Sequence, residues 1–236
     1  CSGVITSKME RNDNNNNPRC VLYSNDASML SAWSEAFAVM RHEGKQIDFP
    51  CEMIVGSLDA LLSDASQQSL EFECVVHAGN SYGVLHELHD GDTLRVVANG
   101  AVFQQRLQQR IYELHGGEIA PGNVLLMSSG NDAHPVIAYA PLSRVPRVLS
   151  HTDATYQCMR AALKGVLQYN VTVANHAIKT VMIPAIGLRA GIDPTDVAMQ
   201  MVLALHTLSA QGMVDPSEQP YTLEWAYNLD QQLIRY

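Results

Sequence analysis

The chain has 236 residues, enough for one large domain, and 47% of them are hydrophobic, which excludes a largely disordered protein. A net charge of −9 and a pI near 5.4 exclude an indiscriminate nucleic-acid binder, which needs clustered Lys and Arg to neutralise phosphates. One phosphorylated small ligand remains compatible with that charge, because backbone amides hold phosphate without net positive charge.

The five cysteines (Cys1, Cys20, Cys51, Cys74 and Cys158) are odd in number and form no CxxC pair. All but Cys1 sit in or beside apolar runs, which reads as buried thiols in a reducing compartment, the cytoplasm. No stretch of 18 apolar residues and no signal peptide is visible, so no membrane partner is expected. The chain starts at Cys1 without Met and reads as a fragment or a processed product.

Residues 7–18 lack apolar periodicity and contain the run Asn14-Asn15-Asn16-Asn17, so residues 1–19 read as a flexible tail. Residues 20–236 read as a single domain, with a C-terminal extension from about 213. Cys20 to Tyr23 is a short strand. Ser24-Asn25-Asp26 offers caps for a helix in which Leu30, Trp33, Phe37 and Met40 share a face, with Gly44 as its stop. Met53 to Val55 is a strand, followed by Gly56-Ser57-Leu58-Asp59 and a short helix to about Ser63. Phe72 to Ala78 is another strand.

Residues 93–115 form the longest helical pattern. Val96, Phe103, Leu107, Ile111 and Leu114 share one face, Gln104, Gln105, Gln108, Gln109 and Arg110 solvate the other, and Gly116-Gly117 ends it. Gly100 interrupts the pattern. Val124 to Met127 and Val136 to Ala140 are strands, and Thr152 to Tyr169 is a helix. Ile178 to Ala185, apolar and β-branched, is a central strand. Asp193 and Pro194 open a helix to about Ala210 as N-cap and first residue. Tyr221 to Tyr236 is ambiguous between strand and helix. Strands alternating with helices predict an α/β fold, a three-layer α/β/α sandwich with a mixed, mostly parallel sheet.

Two strand-to-loop junctions stand out: Val75-Val76-His77-Ala78-Gly79-Asn80-Ser81-Tyr82-Gly83, and Val181-Met182-Ile183-Pro184-Ala185-Ile186-Gly187-Leu188-Arg189-Ala190-Gly191. In such sheets ligands sit beyond the carboxyl ends of the strands, so the two loops read as two lips of one cleft. The second loop leads into the Asp193-capped helix, whose N-terminus favours a phosphate. It matches neither the P-loop nor the dinucleotide fingerprint, and a plain tight turn explains the glycines equally well. His86, His89, Asp90 and Asp92 read as a polar loop more readily than as a metal site. His77 reads as a structural histidine or a base. Arg144 and Arg147 read as phosphate partners or as surface residues.

Together the two loops resemble the signatures of macrodomains. His77-Ala78-Gly79-Asn80-Ser81 is similar to their Asn-Ala-Ala-Asn motif, and Val181 to Gly187 to their second strand ending in Pro-Ala-Ile and a Gly loop. Gly117-Glu118-Ile119-Ala120-Pro121-Gly122 resembles the turn between them, and His134 to Pro141 the following strand. Asn80-Ser81-Tyr82-Gly83-Val84 and Ala140 to Pro146 resemble the subgroup with an Asn-Ser-Phe-Gly-Phe loop. The likeness covers residues 51–210.

The resemblance implies an α/β/α fold that binds ADP-ribose or ADP-ribosylated protein, as a monomer and without a cofactor or metal. It also implies removal of ADP-ribose from modified side chains, or deacetylation of O-acetyl-ADP-ribose, with a non-catalytic reader as the alternative. By carry-over, Asn80, Asp90 and Asp92 are the catalytic candidates, with Asn80 on the distal ribose. Gly79, Ser81, Tyr82, Gly83 and Gly91 would line the ribose and diphosphate. Ala185, Gly187, Leu188, Arg189, Ala190 and Gly191 would hold the diphosphate from the other side. Ser57 stands where the family places an adenine-binding Asp, unless Asp59 substitutes. Asp90-Gly91-Asp92 departs from the family's Gly-rich run, and Thr93-Leu94-Arg95 follows where hydrolytic members carry an Asp.

Overall fold

A computed structural model of the chain describes residues 6–8, 17–63, 71–86, 91–173, 177–209 and 222–233. Its strands are β1 (Thr6–Lys8), β2 (Arg19–Ser24), β3 (Cys51–Val55), β4 (Cys74–Asn80), β5 (Leu125–Ser128), β6 (Val136–Ser143) and β7 (Thr180–Pro184). Its helices are α1 (Ser28–His42), α2 (Leu58–Ser63), α3 (Gly91–Val96), α4 (Gly100–His115), α5 (Ala154–Thr172), α6 (Pro194–Thr207) and α7 (Leu223–Leu233).

The strands form one sheet in the order β1-β3-β2-β7-β4-β6-β5. The inner five run parallel, and β1 and β5 close the two edges antiparallel. Successive side chains of a strand point to opposite faces, and both faces here are apolar. Thus β2 sends Cys20 and Leu22 into one core and Val21 and Tyr23 into the other. The first core is covered by α1, α5 and α6 through residues such as Trp33, Phe37, Cys158 and Val202. The second is covered by α2, α3 and α4 through Leu58, Val96, Phe103, Leu107 and Ile111. The result is an α/β/α sandwich. β7 lies between β2 and β4 with Val181, Met182 and Ile183 fully buried, which is the central position its composition predicts.

Helix boundaries follow local chemistry. Asp193 Oδ1 accepts the Thr195 N–H at 2.8 Å and caps α6, with Pro194 as its first residue. Before α1, Asp26 Oδ1 accepts the Ser28 N–H at 2.9 Å and closes the turn that leads into the helix.

Three regions differ from, or go beyond, the sequence-based expectation. The helix expected over 93–115 is two helices, because Asn99 turns extended and accepts the Val102 N–H at 3.1 Å, starting α4 afresh beside Gly100. Leu114 is exposed, since the buried stripe of α4 steps through Phe103, Leu107 and Ile111 and passes it by. The ambiguous C-terminal stretch holds a helix, α7, docked by buried Leu233, whose carbonyl accepts from Gln200 Nε2 at 3.0 Å. Thr6–Lys8, within the stretch read as a tail, pairs with β3.

Because the inner strands are parallel, β3, β2, β7, β4 and β6 all deliver their carboxyl ends to one sheet edge. Backbone bonds tie those ends together. Gly56 N–H donates to Ser24 O at 2.8 Å, Ala185 N–H to Tyr23 O at 3.0 Å, and Ser81 N–H to Arg144 O at 3.1 Å.

Candidate functional site

Both sequence-selected loops lie on that carboxyl edge. At the end of β4, Asn80 organises its own loop. Its Oδ1 accepts the N–H groups of Tyr82 at 3.0 Å and Val84 at 3.3 Å, and its Nδ2 donates to Val84 O at 2.7 Å. An Asn carboxamide carries two donor hydrogens, so one stays available for a ligand. The main chain of Asn80 is clamped from below. Its N–H donates to Tyr139 Oη at 3.1 Å, and the Tyr139 hydroxyl donates to the Asn80 carbonyl.

Packing requires glycine at 79, and a φ of +68° favours it at 83. A Cβ on Gly79 would lie 2.5 Å from the Tyr139 ring, and one on Gly83 2.8 Å from Ile111 Cδ1. Ser81, expected beside the ligand, sits inside the fold. It is fully buried, its N–H and C=O are tied to Arg144 and Ile119, and its hydroxyl faces the interior without a hydrogen-bond partner. Leu85 N–H donates to Gln104 Oε1 at 2.7 Å, so Gln104, read as a solvated side chain, fixes the loop to α4.

The second loop leaves β7 at Ala185 and turns through a short 3₁₀ segment, Leu188–Ala190, into α6. Gly187 adopts φ +91°, and a Cβ there would meet Thr155 Oγ1 at 2.5 Å and Ile192 Cδ1 at 2.7 Å. Thr155 in turn donates to Ile186 O at 2.8 Å, so α5 holds the loop from beneath. Arg189 and Gly191 are exposed, and Leu149 N–H donates to Ala190 O at 2.9 Å, which lays the β6–α5 connection against the loop.

At the end of β3, Ser57 accepts the Ala60 N–H at 3.0 Å, a cap for α2. Asp59 is exposed and pairs with Arg95 at 3.6 Å, a bridge from α2 to α3. Gly91 begins α3 on this side. Asp90 lies outside the described residues, as does His89; the Asp92 backbone belongs to α3 and its side chain is outside the description.

Sequence reasoning passed over a cluster at the rim. Tyr82 Oη donates to Glu118 Oε2 at 3.1 Å, and Arg144 grips the same carboxylate with Nε at 2.8 Å and Nη2 at 3.0 Å. The Arg144 guanidinium also lies over the Tyr82 ring, 5.8 Å from its centroid. Its hydrogen bonds, then Tyr82's, hold the Glu118 carboxyl below its ordinary value. Arg144 is thus engaged by protein, and Arg147, on the same connection, is exposed. Glu118 and Arg144 are 26 positions apart in the chain, which is why spacing gave no signal.

A groove of about 460 Å³ lies elsewhere, between α4 and β5, beside Arg106, Arg110, Leu126 and Ser128. None of the loop residues above lines it, and it lacks the convergence of strand ends that positions groups around a ligand.

No protein-family model and no curated protein sequence matches the chain. Solved structures do. The Oceanobacillus iheyensis macrodomain with ADP matches over 98% of this chain and 100% of its own, at TM-score 0.52 and 14% identity. The same macrodomain with MES bound matches over 97% and 100%, at TM-score 0.53 and 14% identity. The macrodomain of Mycobacterium tuberculosis DarG matches over 58% of this chain and 84% of its own, at TM-score 0.46 and 19% identity. The Oceanobacillus likeness is one of fold: the α/β/α sandwich described above is a macrodomain fold.

Proposed function

We propose that the chain binds ADP-ribose, free or attached to protein, across the carboxyl edge of its sheet, and removes it from modified side chains by hydrolysis. The observation that carries the proposal is the convergence of two backbone-rich loops, Asn80 to Gly83 and Gly187 to Gly191, on one edge. The first is a turn organised by Asn80, with one carboxamide hydrogen left for a ligand. The second places exposed Arg189 on the turn into the Asp193-capped helix, a setting suited to diphosphate. Asp90 and Asp92 are the proposed carboxylates that orient a water onto the anomeric carbon of the distal ribose. That water supplies the new hydroxyl and returns its proton to the departing side chain. Ser57 and Asp59 flank the proposed adenine end.

One observation favours a second reading, a non-catalytic reader. The carboxylate described nearest the Asn80 loop, Glu118, is engaged by Arg144 and Tyr82 and so is unsuited to proton transfer.

Calorimetry with ADP-ribose tests the first claim, and absence of binding rejects both readings. Asn80→Ala should weaken that binding by about 1–3 kcal/mol, because it releases the Tyr82 and Val84 amides as well as the remaining carboxamide hydrogen. Incubation with an ADP-ribosylated protein separates the readings. The hydrolase releases ADP-ribose and loses turnover in Asp92→Ala with affinity retained, whereas a reader binds and releases nothing.

A further inference from the structure

We infer that Thr93, His77 and Tyr139 form a buried positioning column that ties the Asn80 end of β4 to the start of α3. The inference rests on the proposed function for its consequence and on the packing alone for its existence. His77 and Tyr139 are register partners on adjacent strands β4 and β6. Their rings stack with centroids 5.2 Å apart and planes at 28°. Above them, Tyr139 brackets the backbone of Asn80 through both its N–H and its carbonyl, and its ring fills the space that Gly79 leaves open. On the other side, His77 Nδ1 and Thr93 Oγ1 share a hydrogen bond at 2.6 Å. His77 is 5% exposed and Thr93 2%, so water does not compete for that bond.

The chain positions make the column informative. His77 precedes Asn80 on the strand that opens the loop. Thr93 directly follows Asp92 on the helix that closes it. The column therefore joins the end of β4 to the first turn of α3. Neighbouring positions on this side of the sheet, such as Val75 and Ile137, are apolar. A buried polar pair instead confers one geometry, since each partner left alone is costly. His77 and Tyr139 act through the loop and are positioning residues.

The test compares wild type with Thr93→Val, which keeps the shape and removes the hydroxyl, and Thr93→Ser, which restores it. Thr93→Val should remain folded and lose amide-exchange protection at both Asn80–Gly83 and Gly91–Val96. With an ADP-ribosylated protein as substrate, its kcat should fall about ten-fold with KM within about two-fold, and Thr93→Ser should recover most of the loss. Tyr139→Phe should loosen Asn80–Gly83 and leave Gly91–Val96 protected. Unchanged protection and kcat in Thr93→Val, or failure of Thr93→Ser to restore them, overturns the column. If the wild type neither binds nor releases ADP-ribose, the functional reading fails, and the exchange comparison still decides whether the column anchors the loop.

Discussion

Asn80 shows how one side chain can look like a ligand contact and also be a structural staple. Its carboxamide closes a turn on Tyr82 and Val84, so the amides of the loop are spent within the protein. The motif was legible because glycines and Asn after an apolar run have a chemical meaning. The reason for Gly79 was not, because the Tyr139 ring that demands it comes from residue 139. Gly187 carries both burdens, a positive φ and a crowded Cβ direction. Gly187→Ala should therefore lower stability by about 1–3 kcal/mol, read as a fall in the urea midpoint. An unchanged midpoint would mean that Thr155 and Ile192 move aside without cost. Glu118 adds a pH dependence. Its carboxyl is held below the ordinary value of 4.5 in the fold, so its contribution is present above that value and lost as pH falls below it. Melting temperatures of wild type and Glu118→Gln should differ near neutrality and converge in acid. The pair is exposed, so the difference is small, and a gap that does not vary with pH would reject the assignment.

At the scale of elements, capping chemistry was readable and continuity was not. The Asp193-Pro194 start of α6 follows from two residues whose conformational preferences agree. The pattern over 93–115 kept its apolar residues in phase across a real break, because Val96 and Phe103 face the same core from two different helices. Periodicity reports which face is buried and is blind to a single extended residue between helices. Asn99→Ala should cost about 1 kcal/mol and raise amide exchange in the first turn of α4, leaving α3 protected. Equal protection in both proteins would show that the cap is dispensable. The break matters to the site, because it lets the short helix α3 bridge to α2 through Arg95 and Asp59. The C-terminal helix α7 was illegible for a related reason. Its buried contact, Leu233, docks on Gln200 of α6 by a hydrogen bond to the main chain, which leaves little trace in the composition of either segment.

At the scale of the whole molecule, two cores on a parallel sheet leave the cysteines in the interior. Cys20, Cys51, Cys74 and Cys158 are all buried free thiols. Burial pushes Cys74 and Cys158 up to about 12. The thiolate is the reactive form, so these thiols should resist labelling in the native protein near pH 8 and react promptly in denaturant. Fast native labelling at Cys74 or Cys158 would contradict the packing. The sequence by itself determined the alternation of strands and helices, the central apolar strand within 178–185, the two glycine-bearing loops and the resemblance that joins them. These are local matters of periodicity, backbone freedom and capping. Tertiary structure alone decided that Tyr139 sits beneath Asn80, that His77 meets Thr93, that Ser81 turns inward and that Glu118 is held by Arg144. Each depends on residues distant in the chain meeting across parallel strands, and the order in which those strands lie side by side is fixed by the burial of both faces together.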